Sequence, residues 1–175
     1  MLSTFDEANL QLHPKKCVFA QPEVQYLGFV LSEKGVSASI EKVKAVREYL
    51  TPKDVRDVTA ILGLESFYRK LVPNFAQITK PLTTLTRKDQ KFEWGPSQKE
   101  VFEGLKNKLY TTPVLAYPNF ELPFILTVDA SKLSVAAFLS QVQDAVERPI
   151  AYASRQLNRA EQSYSASESE MLALV

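Results

Sequence analysis

Only one cysteine, one histidine, one tryptophan and five glycines occur among the 175 residues. Cys17 has no thiol to pair with, so an internal disulfide is excluded and a reducing, intracellular setting (cytoplasm or nucleus) is expected. Without a second histidine or thiol, a zinc site or a Cys–His nucleophile has no ligands to draw on. His13 precedes Pro14 and makes a poor general base. Five scattered glycines build no phosphate-cradling loop. Charge of one sign is also missing, since 21 Lys and Arg face 20 Asp and Glu, a formal net of +1. Any nucleic-acid affinity must therefore come from local patches, not from a global field. No apolar run approaches the roughly 20 residues of a bilayer span, and no basic leader opens the chain. Internal repeats and low-complexity tracts are absent as well.

What is present suits a packed globular chain. Hydrophobic residues make up 45% and charged residues 23%, enough for one domain or two small ones. Leu2, Phe5, Leu10 and Leu12 suggest a helix that His13-Pro14 ends. Val24 to Ser32 reads as strand, with Gly35 in the following turn. Ser39 can cap a helix over Ile40 to Leu50 that buries Ile40, Val43 and Val46 or Leu50. Thr51-Pro52-Lys53-Asp54 restarts helix, with Val58, Ile61, Leu62, Phe67, Tyr68 and Leu71 as its apolar stripe and Pro73-Asn74 as its end. A short helix over Ile78 to Thr86, a polar loop over Arg87 to Gly95 and a helix from Pro96 to about Leu109 follow. Trp94 is expected to anchor the loop before that last helix. Tyr110 to Pro123, with three prolines, reads as an irregular connector. Phe124 to Asp129, Val135 to Gln141 and Pro149 to Ser154 read as three strands, and helix resumes at Ser163 or Ser165. The fold class expected is α+β.

The chemistry-bearing pattern is Thr127-Val-Asp-Ala-Ser131 at a strand end, followed by Glu168-Ser-Glu170 opening a helix. Carboxylate oxygens are the ligands Mg²⁺ prefers, and Asp129 with a glutamate on a packed helix could share an ion. The structural alternatives are that Asp129 caps a turn with Ser131, and that the glutamates merely favour a helix start. Glu168 and Glu170 lie two apart, on different helix faces, so both cannot serve one ion from the helix alone. Tyr68, Arg69 and Lys70 mix an aromatic ring with two cations and could meet sugars and phosphates; the alternative is an amphipathic helix with a solvated edge. Lys15-Lys16 and the trio Lys42, Lys44 and Arg47 offer cations too, diluted by Glu41 and Glu48.

Taken in order, the blocks KKCVFAQPEVQYLGFVLSEKGV, ILGLESFYRKLVPNFAQITKPLTTL, FEWGPSQKEVFEGLK, PVLAYPNFELPFILTVDAS and RPIAYASRQLNRAEQSYSASESE resemble the Pol polyprotein of gypsy-type LTR retrotransposons. The resemblance covers essentially the whole chain. It implies a reverse transcriptase palm end with a primer-grip hairpin (1–35), a helical thumb (36–92), a connector (93–122) and the N-terminal part of a ribonuclease H-like domain (123–175). By that resemblance Tyr26, Leu27 and Gly28 hold a primer end, and Tyr68, Arg69 and Lys70 lie on a thumb that tracks the duplex. Asp129 and Glu170 match metal-binding, catalytic carboxylates for Mg²⁺, with Glu170 preferred to Glu168. The implied partners are an RNA–DNA hybrid or primer–template and the remaining Pol segments.

The departures from the family pattern shape what is expected of this chain. The polymerase's Tyr-x-Asp-Asp loop does not occur in the sequence, nor do the two further ribonuclease H aspartates. Where relatives place glycines after the first ribonuclease H strand, this chain has Leu133-Ser134-Val135-Ala136-Ala137, which would strain a turn needing positive φ. Neither polymerase nor ribonuclease H turnover is expected from the chain alone. The C-terminal third, with its sheet incompletely covered, is expected to expose apolar surface and to be marginally stable. The alternative readings are a truncated or domesticated, non-catalytic nucleic-acid-binding module, or a fragment without function.

Overall fold

A computed structural model describes residues 2–88, 90–111 and 113–175. Met1, Asp89 and Thr112, which belong to the expected N-terminal helix, polar loop and connector, lie outside the described residues, as does the Leu2 side chain. The architecture is α+β, with two three-stranded antiparallel sheets and a helical group between them in the chain. After α1 (Leu2–Glu7), which stops well before Leu12, come β1 (Glu23–Tyr26), β2 (Phe29–Ser32) and β3 (Gly35–Ala38). The helical group is α2 (Ile40–Arg47), α3 (Val55–Ser66), α4 (Phe75–Ile78), α5 (Lys80–Leu85) and α6 (Pro96–Tyr110). The second sheet, β4 (Ile125–Ala130), β5 (Ser134–Gln143) and β6 (Val146–Gln156), is followed by α7 (Ala166–Ala173).

The run Val24–Ser32, read above as one strand, is folded in two. Leu27 takes φ 48° and Gly28 φ 83°, the left-handed pair that a two-residue antiparallel hairpin requires. Tyr26 and Phe29 face each other across it. β-rich composition names the strands but not the point at which they reverse. Gly35, at φ 127°, marks a second constraint: a Cβ there would lie 2.1 Å from the Leu115 carbonyl oxygen. That close approach lets Val36 and Leu115 exchange two backbone hydrogen bonds of 2.8 Å each, tying the connector to β3.

α3 ends at Ser66, short of the expected stop at Pro73-Asn74, and Tyr68 and Leu71 of the expected stripe lie past its end, Leu71 in a separate short helical turn. Val58, Ile61, Glu65 and Tyr68 are buried at i, i+3, i+7 and i+10, the spacing of one helix face. The cap is Asp54, whose carboxylate accepts the Asp57 amide at 2.9 Å, not Thr51. Ser39 stands at the start of α2 without a side-chain cap bond, and Ile40 points to solvent while Val43 and Val46 face inward. The Ile78–Thr86 helix is two short turns, α4 and α5, hinged at Thr79. The core joins Val46, Val58, Ile61, Tyr68, Leu71, Leu82, Phe102, Leu105, Leu109 and Leu115, with Tyr152 of β6 packed against it. Each such side chain contributes about 1.5–3 kcal/mol by leaving water. Trp94 stacks near Phe92 and meets Phe102 edge-on, anchoring the start of α6 as expected.

The connector is irregular, as read, yet it is not loose. Backbone polar groups of a loop need partners, and one buried side chain supplies three of them. Gln141 Nε2 donates to the Asn119 and Leu122 carbonyls at 2.8 and 3.0 Å, and its Oε1 accepts the Asn119 amide at 2.9 Å. The Ala116 amide donates to Pro149 O at 2.7 Å. The connector is thus strung between both sheets.

β5 and β6 run longer than expected and meet in a two-residue turn at Asp144 and Ala145, both left-handed. The segment Leu133–Ala137 corrects an expectation. Ser134 onward is strand, paired with β4 and β6, and no residue there has positive φ. The turn is closed by the Ser131 hydroxyl, which accepts the Ser134 amide at 3.0 Å and the Leu133 amide at 3.3 Å. A hydroxyl-built turn needs no glycine.

Candidate nucleic-acid interface and carboxylate site

Tyr26 and Leu27 stand at the hairpin tip, and Leu27 is 71% exposed. A leucine held left-handed costs roughly 1–2 kcal/mol, so the rest of the structure must impose it. The tip is pinned from beneath. Tyr68 donates its hydroxyl to the Gly28 carbonyl at 3.0 Å, and the Ser39 amide donates to the same oxygen at 2.9 Å. A Cβ on Gly28 would lie 3.1 Å from the Tyr68 hydroxyl oxygen and 3.2 Å from the Phe67 ring. Phe29, Phe67 and Tyr68 complete the support, with ring centroids 5.0 to 5.5 Å apart.

That geometry corrects the reading of Tyr68. Its ring is 1% exposed and offers no face to a base or sugar; it positions the hairpin instead. Burial also raises its hydroxyl pKa above the ordinary tyrosine value, which keeps it a donor. The exposed aromatic at this place is Phe67, half open to solvent, which sequence reasoning placed inside. Strict helical phase from Val58 and Ile61 would have separated the two, since Tyr68 continues the inward series and Phe67 does not. Arg69 and Lys70 follow on an exposed helical turn, and this turn packs on β6.

The same segment leads to Asp129. Pro73 and Asn74 line a groove of about 310 Å³ together with Thr127, Asp129, Phe138 and Tyr152. Register places Asp129 opposite Ala136, and Ala136 opposite Ser154, whose hydroxyl accepts the Ala76 amide at 3.0 Å. Hairpin tip, Tyr68, the Arg69-Lys70 turn and the Asp129 groove therefore form one connected track. Asp129 is exposed, and its carboxylate makes no hydrogen bond or ion pair with the described residues. It caps no turn, because Ser131 does that.

α7 packs against β4 and β5, which sets the Glu170 helix against the strand of Asp129. The two glutamates differ in their surroundings. Glu168 is committed to the capping box, accepting the Ser165 amide and hydroxyl at 2.8 Å each, and these bonds hold its carboxyl below the usual range. Glu170 is exposed and has no such commitment. Oxygen donors of this kind fit a hard divalent cation, but no group of three or more His, Cys, Asp or Glu converges among the described residues. Lys15-Lys16 lie on an exposed turn after α1, and Lys44 is paired with Glu48 at 3.8 Å.

Residues 94–175 match the profile of an RNase H-like domain found in reverse transcriptase. The whole chain is 37% identical to the retrovirus-related Pol polyprotein from transposon opus of Drosophila melanogaster, spanning 18% of that protein. Identity is 41% to the one from transposon 297 of the same fly, over 97% of this chain and 16% of that protein. It is 35% to the transposon Tf2-3 polyprotein of Schizosaccharomyces pombe, over 100% of this chain and 13% of that one. The chain thus spans less than a fifth of the length of these relatives. Among solved structures, the foamy viral protease-reverse transcriptase in complex with double-stranded DNA superimposes with a TM-score of 0.82 at 25% identity, covering 98% of this chain and 30% of that one. The same viral protein in complex with an RNA/DNA hybrid gives 0.78 at 26% identity, over 91% and 22%. Among the described residues, no helix is long and apolar enough to cross a membrane.

Proposed function

Since the chain belongs to the Pol polyproteins of transposons, in their reverse transcriptase and ribonuclease H-like segment, we propose that it positions an RNA–DNA hybrid within a larger Pol protein. The hairpin tip (Tyr26, Leu27, Gly28) holds the primer end, with Tyr68 bracing it from inside. Arg69 and Lys70 meet phosphates, and Asp129 and Glu170 contribute two of the carboxylates for hydrolysis of the RNA strand. A bound Mg²⁺ would there polarise the phosphate and activate water. Two carboxylates alone would hold that ion weakly, so further Pol segments must complete the site and the chain by itself does not turn over. Its place of work is inside the cell, in cytoplasm or nucleus, where Cys17 stays reduced.

The observation that carries this reading is the strained, solvent-facing Leu27 fixed by a buried hydroxyl, on a track continuous with Asp129. Strain maintained at an exposed apolar tip points to contact with a ligand. Nothing comparable favours a domesticated, non-catalytic module. Leu27→Gly tests it, because glycine relieves the left-handed strain and removes the contact at once. Thermal unfolding should rise by the equivalent of about 1 kcal/mol, while fluorescence anisotropy with a labelled hybrid should show several-fold weaker binding. A more stable variant that binds as tightly as the parent would remove the tip from the interface. Hybrid cleavage with Mg²⁺ by the 175-residue chain alone should stay at background, and clear turnover would overturn the incomplete-site reading.

A further inference from the structure

Besides the Asp129 track, the fold builds a second recess, whose charged walls are all basic, where the helical group meets the end of β6. Lys80 of α5 and Arg87 beyond it face Arg159 across a cavity of about 490 Å³, whose remaining walls are Leu157, Asn158 and Gln162. No acid lines it, and none of the three cations pairs with a carboxylate among the described residues. Among the described residues, the acid nearest Arg159 in sequence, Glu161, is already used: Arg155 grips it with two bonds of 2.8 and 3.1 Å, and the Asn158 amide donates to it at 2.8 Å. That bond to Arg155 holds the Glu161 carboxyl below its usual range. In a chain whose formal net charge is +1, three cations around one recess, none paired with a carboxylate among the described residues, form a concentrated local field.

The walls are fixed relative to one another. Gln156 Nε2 donates to Ala76 O at 3.3 Å, Ser154 accepts the Ala76 amide, and Gln162 Nε2 donates to Leu157 O at 2.9 Å. The recess also lies beside the Asp129 groove. Leu157 is three residues past Ser154, about 10 Å along the strand, and Ser154 is two strands, about 10 Å, across from Asp129. The separation is therefore roughly 14 Å, which corresponds to about four phosphates of one strand along a duplex axis.

We propose that Lys80, Arg87 and Arg159 form a phosphodiester-binding subsite, which takes the backbone of the same hybrid a few nucleotides from the Asp129 groove. The subsite rests on the hybrid-binding reading above. It supplies register instead of sequence preference, since phosphate contacts position a duplex without reading bases. Three cations shared between helical group and sheet make the anion a clamp across that junction.

Anisotropy with a labelled RNA–DNA hybrid, from 50 to 200 mM salt, tests it on the parent chain and on the triple variant Lys80→Gln, Arg87→Gln, Arg159→Gln. All three positions are exposed or half-exposed, and thermal unfolding confirms that the variant folds; Arg159→Gln alone is the fallback. The slope of log Kd on log salt should fall by roughly 0.9 for each phosphate lost. Over this fourfold range that is about a 3.5-fold smaller loss of affinity per phosphate, with weaker binding at 50 mM. A DNA duplex of the same sequence should show the same change, and a loss confined to the hybrid would overturn the phosphate assignment. An unchanged Kd and slope in a folded variant would overturn the subsite while leaving hybrid binding intact. A parent chain that fails to bind hybrid at any salt would instead remove the reading on which the subsite rests.

Discussion

The helical group and the β4–β6 sheet are built on opposite terms. The helices bury Val46, Val58, Ile61, Leu71, Leu82, Phe102, Leu105 and Leu109 around one another. The sheet buries little of its own: β4 is an edge strand whose Ile125 and Leu126 are open to solvent, and Phe120 before it is 82% exposed. What fixes the sheet is borrowed, through Tyr152 on the helical core, the Ala76–Ser154 bond and the Gln141 hold on the connector. Hydrophobic burial and polar anchoring thus divide the molecule. An open edge with exposed apolar side chains invites pairing with other chains, in line with the exposed apolar surface expected of the C-terminal third.

The largest test of that contrast lies inside the better-packed half. Glu65 is fully buried in α3 with neither carboxylate oxygen hydrogen-bonded. Burial pushes its pKa up to about 8, against a smaller opposing pull from Lys106. Below the unfolded value of 4.5 it is protonated in both states and adds no pH dependence. As pH rises from about 4.5 to about 8, the unfolded chain ionises while the fold keeps its proton. Stability therefore falls across that window, by up to something on the order of 5 kcal/mol. Glu65→Leu should flatten the pH dependence of thermal unfolding and stabilise the chain at pH 8. A variant with the parent's pH slope would place the titration elsewhere.

Truncation on either side should break the symmetry of the two halves. Phe102→Ala removes a fully buried ring at the centre of the core and should cost about 3–5 kcal/mol in urea unfolding. Leu126→Ala on β4, where the leucine is 54% exposed, should stay within about 0.5 kcal/mol. Comparable losses would mean that β4 is covered by something these contacts do not describe.

A stabilising change sharpens the account of the sheet. Ala145 sits left-handed in the β5–β6 turn, beside an Arg148–Asp144 pair of 3.2 Å. Ala145→Gly should stabilise by about 1 kcal/mol, read as a raised midpoint of thermal unfolding. No gain would mean that the sheet does not unfold with the rest.

Much of this was legible in residues alone. The 3.6-residue period gave the helices, β-branched runs gave the strands, and Asp129 and Glu170 stood out as carboxylates at a strand end and a helix start. Boundaries were less legible where one side chain decides them, as Asp54 does at α3 and Ser131 does at the β4–β5 turn. Tyr68 shows the same limit at the site. Its type suggested stacking, whereas its place just past α3, continuing the inward series of Val58, Ile61 and Glu65, turned it inward, beneath Gly28.

By itself the sequence determined which segments could be helix or strand, that no disulfide or zinc site could help, and which carboxylates were candidates, because these follow from local periodicity and residue chemistry. Tertiary structure alone decided the reversal at Leu27-Gly28, the connector strung on Gln141, the burial of Glu65 and the meeting of Lys80, Arg87 and Arg159. Each of these joins groups distant in the chain, and only packing decides which distant groups lose water together.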